Sequence, residues 1–252
     1  MTRRSTVVRR LAAAVLVGGV ATASFSACSG GDDPVTENKK LDDDGDGKVT
    51  PEEVMAGAKA KLDDTSGVQV SLSTDDEPSD GDYLASAEGV IIADPAAFDG
   101  EVAGRVMGVD AADIPVISAD GTLYVKVPVL GWQDVDPNDF CAPDPAQLLD
   151  PEKGVSPLLT ATEDLEAGDS ELGGDDNKET LTPFTGTLPG DAVRNILPCA
   201  KGDTFDATYR INSDGELTQA EITGEFFSGE DAITYTIDVE DYGVEQEISA
   251  PE

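Results

Sequence analysis

The chain has 252 residues and a formal net charge of −36, from 52 Asp and Glu against 16 Lys and Arg. Charge of that size favours solubility and repels polyanions, so nucleic acid is a poor partner. There is no histidine and there are three widely spaced cysteines, which removes His-based triads, the commonest general base and a zinc centre. No G-x-S-x-G stretch supplies a nucleophile either, and the chain is not expected to be an enzyme.

The first 27 residues carry Arg3, Arg4, Arg9 and Arg10 and no acid, so the remainder carries about −40. MTRRSTVVRR followed by the apolar LAAAVLVGGVATASF has the order of a secretory signal. The apolar run is too short to span a membrane. Ser26-Ala27-Cys28 then resembles a bacterial lipobox, with Phe25 where that pattern prefers Leu. On that reading Cys28 is diacylated, and the protein sits lipid-anchored at the cell membrane, facing the periplasmic or extracellular side. The other reading is cleavage near an A-x-A site, with Cys28 incidental. If Cys28 is lipidated, Cys141 and Cys199 remain. An export compartment lets two such residues pair, although two free buried thiols are the alternative.

Residues 28–50 are polar and acidic, and cannot bury enough surface to offset their ordering entropy. They read as a lipidated tether between the signal (1–27) and a domain over 51–252. Within the tether, Asp42, Asp44 and Asp46 fall at positions 1, 3 and 5 of a calcium loop. Gly47 supplies the turn, Lys48 a carbonyl, Thr50 position 9 and Glu53 the bidentate position 12. The incoming VTENKK is too short and polar for a helix, and no second loop pairs with this one. A weak Ca²⁺ site and a plain acidic tether are therefore both open.

Pro51, Glu52 and Glu53 suit a helix start, and Val54, Ala58 and Leu62 share one face, which predicts a helix over 51–64. Period-two alternation follows at Val68/Val70/Leu72, Val102/Gly104/Val106 and Leu123/Val125/Val127. It returns at Phe205/Ala207/Tyr209/Ile211 and Ile233/Tyr235/Ile237/Val239. Turn signals such as Phe98-Asp99-Gly100 and Ser213-Asp214-Gly215 separate the runs, which argues for antiparallel meanders. Short helices broken by proline are expected in 144–161 and 190–197. The pattern gives roughly nine to eleven strands and about three helices, an α+β domain with helices against one face of a large antiparallel sheet. Gly104, Ala103, Ala207 and Gly224 put small residues at positions expected to face inward. Either the core is thin, or a vacancy accepts an apolar ligand.

The runs ADGTLYVKVPVLGWQDV (119–135), DPAQLLDPEKGVSPLL (144–159), FTGTLPGDAVRNILP (184–198) and LTQAEITGEFFSGEDAITYTIDVEDYGVEQEISAP (217–251) resemble the LppX/LprAFG family of actinobacterial lipoproteins. The resemblance covers most of 51–251. It implies a curved antiparallel half-barrel with helices across its concave face, similar to periplasmic lipoprotein carriers. It also implies a hydrophobic cavity for the acyl chains of triacylated glycolipids, triacylglycerides or other long-chain lipids. A major-facilitator efflux transporter is an implied partner, and no cofactor is required. The acidic loop and the Cys141/Cys199 pair depart from the family pattern.

A carrier of this kind needs only apolar surface. Moving a sixteen-carbon chain through water costs on the order of 12 kcal/mol, at about 0.8 kcal/mol per methylene. The expected lining is Val70, Leu72, Val90, Ile92, Val102, Val106, Ile114, Val116, Leu123 and Val125 on strands. Leu158, Leu159, Val193 and Ile196 are expected as a helical lid. Lys126, Lys153 and Arg194 are scarce cations that could meet an anionic headgroup. The competing reading is a structural or interaction lipoprotein of the envelope, with a filled core and a calcium-dependent partner surface.

Overall fold

Thr50 opens the first helix. Its side chain accepts from the Glu53 backbone N–H at 3.3 Å, and the Glu53 carboxylate accepts from the Thr50 N–H at 2.7 Å. This reciprocal capping box, with Pro51 at the first helical position, starts α1 at Pro51–Asp64. Val54, Met55, Ala58 and Leu62 form its buried stripe. The helix belongs to a computed structural model that describes residues 48–78, 81–106, 108–140, 142–174, 178–229 and 232–252. The signal, Cys28 and Asp42, Asp44 and Asp46 lie outside the described residues. None of the described helices is long and apolar enough to cross a membrane.

Twelve strands follow among the described residues. They are β1 (Gly67–Ser73), β2 (Tyr83–Ile92), β3 (Ala97–Val106), β4 (Val109–Ala119), β5 (Thr122–Val127), β6 (Gly131–Val135), β7 (Glu163–Ala167), β8 (Glu171–Gly173), β9 (Glu179–Pro189), β10 (Thr204–Asn212), β11 (Leu217–Gly224) and β12 (Ile233–Tyr242). They form one antiparallel sheet in the order β6-β5-β4-β3-β2-β1-β12-β11-β10-β9-β7, with β8 also on β9. The first and last strands meet in the middle, so two meanders are joined along β1 and β12. Between β6 and β7 the chain forms 3-10 turns at Pro137–Phe140 and Pro145–Gln147 and then α2 (Ser156–Ala161). The third helix, α3 (Gly190–Arg194), follows β9. It is shorter than the eight residues expected: the N–H groups of Ile196 and Leu197 both turn back to Val193 O, ahead of Pro198.

The helices lie on one face, called inner here. On β9–β12 that face is filled. Leu188, Phe184, Phe205, Ala207, Tyr209, Ile211, Ala220, Ile222, Ile233, Tyr235 and Val239 are all buried, in one cluster with Val54, Met55, Ala58 and Leu62 of α1 and Leu158 and Leu159 of α2. A Cβ on Gly224 would sit 2.2 Å from Cδ1 of Phe205, so the ring occupies the space that glycine leaves. Phe98 does the same over Gly89 and Gly100, at 2.8 and 2.5 Å. The expected vacancy above small residues is in these places filled by the protein's own aromatic rings.

A hydrogen-bonded clasp joins α1 to α2. Lys59 Nζ donates to Asp63 Oδ2 at 2.6 Å, to Pro151 O at 3.1 Å and to Ser156 Oγ at 3.3 Å. Ser156, almost fully buried, donates to Asp63 Oδ1 at 2.5 Å. At the other end of the helical layer, Ser118 Oγ on β4 donates to Asp144 Oδ1 at 2.7 Å. The same oxygen accepts the Ala146 N–H that opens the second 3-10 turn. That bond fixes the segment before α2 against β2–β4.

Candidate functional site: the open half of the inner face

Strand register sorts the expected lining residues by face. Three rungs run across the inner face, the first two as far as β6 and the third as far as β4. The first runs Val68, Ile91, Phe98, Ser118, Leu123 and Val135. The second runs Val239, Val70, Gly89, Gly100, Val116, Val125 and Gln133. The third runs Ile237, Leu72, Ala87, Val102 and Ile114.

Burial falls from rung to rung. In the first, Val68 and Ser118 are fully buried and Ile91, Phe98 and Leu123 nearly so. In the second, Val116 and Val239 are buried while Val70 and Val125 are half-buried. In the third, Ile237, Leu72, Ala87, Val102 and Ile114 are all half-buried. The covering segments therefore close one end of the inner face and leave an apolar floor at the other. Ala87 keeps that floor shallow, while the Phe98 ring lies over Gly89 and Gly100. At the open end lie the β3–β4 and β5–β6 hairpin tips, where Val109, Val129 and Leu130 are 65%, 104% and 70% exposed. Val129 has φ +72°, a conformation that costs a β-branched residue roughly 1–3 kcal/mol.

This arrangement corrects the expected lining at several points. Val90 and Ile92 pair with Gln69 and Gly67, so they take the outer face. An alternating strand sends every second residue away from the core, and β2 carries apolar residues on both faces. Ile92 is buried there because the chain after β12 crosses it: Val244 N–H donates to Gly67 O, beside the Ile92 methyl. Leu158, Leu159 and Val193 are buried in the core cluster rather than on an open surface, and Ile196 is half-buried against it. The Val106 side chain lies outside the described residues.

Two hollows flank the sheet. One, of about 260 Å³, lies among Asn138, Ala142, Gln147, Lys153, Asn195 and Pro198. The other, of about 470 Å³, lies at the open end among Ile114, Pro115, Lys126, Val127, Val129 and Gly131. The second matches the size of a small-ligand pocket, and neither matches a multiply acylated lipid. Of the three cations, Lys126 stacks over Trp132 at 5.6 Å and borders the larger hollow. Lys153 borders the smaller one. Arg194 is already engaged, by Gly202 O at 2.9 Å and Asp191 at 2.8 Å.

Cys199 is disulfide-bonded, while Cys141 lies outside the described residues; the smaller hollow brings Ala142 beside Pro198. Of the expected calcium ligands, Thr50 and Glu53 form the capping box. Among the described residues no three acidic, Cys or His groups gather to hold a metal.

Sequence reading missed Ala87 on the floor and the Gly89 and Gly100 positions that Phe98 covers, along with Ile237 and Val239 of β12. Their signal was available only through pairing, because β1 and β12 are neighbours in space and far apart in sequence. It also missed the capping box, legible as Thr50-Pro51-Glu52-Glu53.

An open antiparallel sheet, packed solid under helices in one half and apolar but partly uncovered in the other, defines the class: a sheet-and-lid module with accommodating apolar surface. Residues 50–249 match the LppX_LprAFG lipoprotein family. The chain belongs to that family. It is 31% identical over 172 residues to the lipoarabinomannan carrier protein LprG of Mycolicibacterium hassiacum, covering 67% of this chain and 70% of that protein. The fold is similar to the crystal structure of LprF from Mycobacterium bovis, with a TM-score of 0.63 and 14% identity, over 80% of this chain and 96% of that one. It is likewise similar to LppX of Mycobacterium tuberculosis, with a TM-score of 0.58 and 19% identity, over 79% and 98%.

Proposed function

We propose that this lipoprotein binds acylated lipids or glycolipids against the open inner face of β1–β6 and carries them across the cell envelope, anchored at the membrane through Cys28. The observation that carries the reading is the graded ladder of half-buried apolar residues on rungs two and three, continuous from Ile237 to Ile114. Apolar surface left uncovered in a −36 protein is surface that a fatty tail can cover, at about 25 cal/mol per Å² removed from water. Similarity to a lipoarabinomannan carrier supports a glycolipid cargo, with triacylglyceride-like lipids as the neighbouring class. No chemistry on the cargo is needed. An efflux transporter of the major-facilitator type would supply or receive the lipid.

Because these hollows are smaller than a multiply acylated lipid, loading would open the cover, with α1 and α2 over β7 and β9 parting from each other and from the Pro145–Gln147 turn over β2–β4. The Lys59–Asp63–Ser156 clasp then holds the closed state. Organic extraction of the purified protein, followed by mass spectrometry, tests the proposal. Stoichiometric lipid is expected, and Ala87→Trp, which fills the floor, is expected to lower it severalfold. Protein that carries no lipid under any extraction removes the carrier reading.

One observation favours a second reading. Phe98 and Phe205 fill space above the inner-face glycines, as a lipoprotein with a closed core and a calcium-dependent partner surface would have it. Under that reading Ala87→Trp lowers nothing, because nothing is bound.

A further inference from the structure

Single exposed apolar residues are common on soluble proteins, whereas clusters of them mark interaction surfaces. Among the described residues the large exposed apolar side chains are Val109, Val129, Leu130, Phe140 and Leu172, and three of these five sit on two neighbouring hairpin tips at the same end of the sheet. β4 and β5 pair from Val116↔Val125 to Ala119↔Thr122. Residues 109–113 therefore overhang the end of β5, and the β3–β4 hairpin projects beyond the β5–β6 hairpin. Val129 and Leu130 stand where a turn ordinarily carries Gly, Asn or Asp, and Val129 holds φ +72° with its side chain in solvent.

Charge sets this end apart. Nearest the two tips, over residues 103–115 and 125–133, Arg105 and Lys126 stand against Asp110 and Asp113, a local balance of zero in a chain of net −36. Arg105 Nε is paired with Asp110 Oδ1 at 3.0 Å. The adjacent β1–β2 connection does carry acids, Asp75, Asp76, Glu77, Asp80 and Asp82. Any membrane contact at this end is therefore made by hydrocarbon and not by attraction to anionic headgroups.

We propose that the β3–β4 and β5–β6 hairpin tips dock on a lipid bilayer, placing Val109, Val129 and Leu130 among the acyl chains and aligning the open end of the inner face with the membrane. The chain itself brings the bilayer within reach. Residues 29–50 separate Cys28 from α1 and span at most roughly 70–80 Å when extended, so a lipid-anchored domain meets the surface continually at high effective concentration. Continuity with the apolar floor explains the placement, because Ile114 at this end begins the rung that runs through Val102 and Ala87 to Leu72. The inference goes beyond cargo binding, and the two fail separately: one is read by extraction, the other by membrane contact.

Trp132 is the single tryptophan of the chain and lies two residues beyond Leu130, which makes it a built-in probe. The full-length, lipid-anchored protein is reconstituted in phosphatidylcholine vesicles carrying brominated acyl chains, and Trp132 fluorescence is followed. Quenching is expected in the wild type. It is expected to be lost in Val129→Asp/Leu130→Asp, reduced in Val109→Asp on the other hairpin, and retained in Leu172→Asp, an exposed apolar residue on β8. Raising the anionic lipid fraction is expected to weaken the contact. An unquenched wild type, quenching unchanged by the tip substitutions, or equal loss in Leu172→Asp would overturn the proposal.

Discussion

The two meanders of the sheet use the same alternating pattern and come to different ends. In β9–β12 the inner positions carry large side chains, Phe184, Leu188, Phe205, Tyr209 and Ile222, and α1 and α2 press onto them until nothing is left exposed. In β1–β6 the inner positions of rungs two and three carry aliphatic residues, Ala and Gly and no aromatic ring, and all of the apolar ones but Val116 stay half-open. What differs is side-chain volume and cover: both regions are antiparallel strands of one sheet. One meander is thus a foundation, and the other is a surface whose apolar area is held ready on rigid strands.

That contrast is broken most sharply by truncation. Phe205→Ala removes a ring that is 1% exposed and fills the space over Gly224, and is expected to cost about 3–5 kcal/mol. Leu72→Ala on the third rung is expected to cost less than about 2 kcal/mol, since much of its surface is already wet. Denaturant titration of both variants measures the difference. Comparable losses would mean that the open half is as tightly packed as the other, and the distinction would go.

Alkaline pH should attack the solid half next. Burial pushes the Tyr209 hydroxyl up to about 12, partly offset by its 2.9 Å hydrogen bond with Thr162. Burial also pushes Tyr235, whose hydroxyl donates to Leu84 O, up to about 12. Tyr242 is shifted the same way, by burial first and then by the Glu216 carboxylate. An unfolded tyrosine ionises near 10. Above that pH the unfolded chain releases protons that the folded chain keeps, so this tyrosine contribution to stability is constant below about pH 10 and is lost from there through about 12. The expected loss is on the order of 2–3 kcal/mol per buried tyrosine across that window. Tyrosinate absorbance followed alongside circular dichroism checks it. Measured in Tyr83→Phe/Tyr124→Phe, where only the three buried or half-buried rings remain, absorbance that rises well before the structure is lost would show those rings to be accessible.

How much of this was legible in the sequence depended on how local the signal was. The bounds of α1 and its buried Val54, Ala58 and Leu62 were readable, because period and cap lie within fourteen residues. The open antiparallel sheet with few helices was readable from alternation and turn chemistry, although twelve strands exceeded the nine to eleven expected. The inner face was readable only in part. Val70, Leu72, Val102 and Val125 share it, but Val90 and Ile92 do not, since alternation fixes relative facing and cannot say which parity faces the helices. The filling of the glycine positions was not legible at all: Phe98 and Gly89 come together through strand pairing.

The helical cover is expected to respond more weakly than either half of the sheet. Ser156→Ala removes the hydroxyl that links α2 to Asp63 while leaving the Lys59–Asp63 pair in place, and is expected to cost about 1–2 kcal/mol. If the cover opens for loading, the same change should speed the exchange of extractable lipid with added vesicles. A variant destabilised to this degree with unchanged exchange would assign the clasp to folding alone and return the gating to another contact.

The smallest effect concerns the start of that cover. Thr50→Ala removes the acceptor for the Glu53 N–H and is expected to cost about 1 kcal/mol. The Glu53 carboxylate, which accepts from the Thr50 N–H at 2.7 Å, also stands at position 12 of the acidic loop, so cap and calcium use the same group. If Asp42, Asp44, Asp46 and Glu53 bind Ca²⁺, calcium raises the thermal midpoint of the wild type by stabilising the first turn of α1. Any divalent cation screens a chain of charge −36, so the midpoint alone decides nothing. The deciding quantity is the calcium-induced shift in the wild type minus that in Asp42→Ala, at matched ionic strength with magnesium as the control. A positive difference assigns calcium to the loop. Equal shifts assign no calcium to Thr50 and Glu53 beyond their cap, and the inner face then works without a metal-stabilised lid.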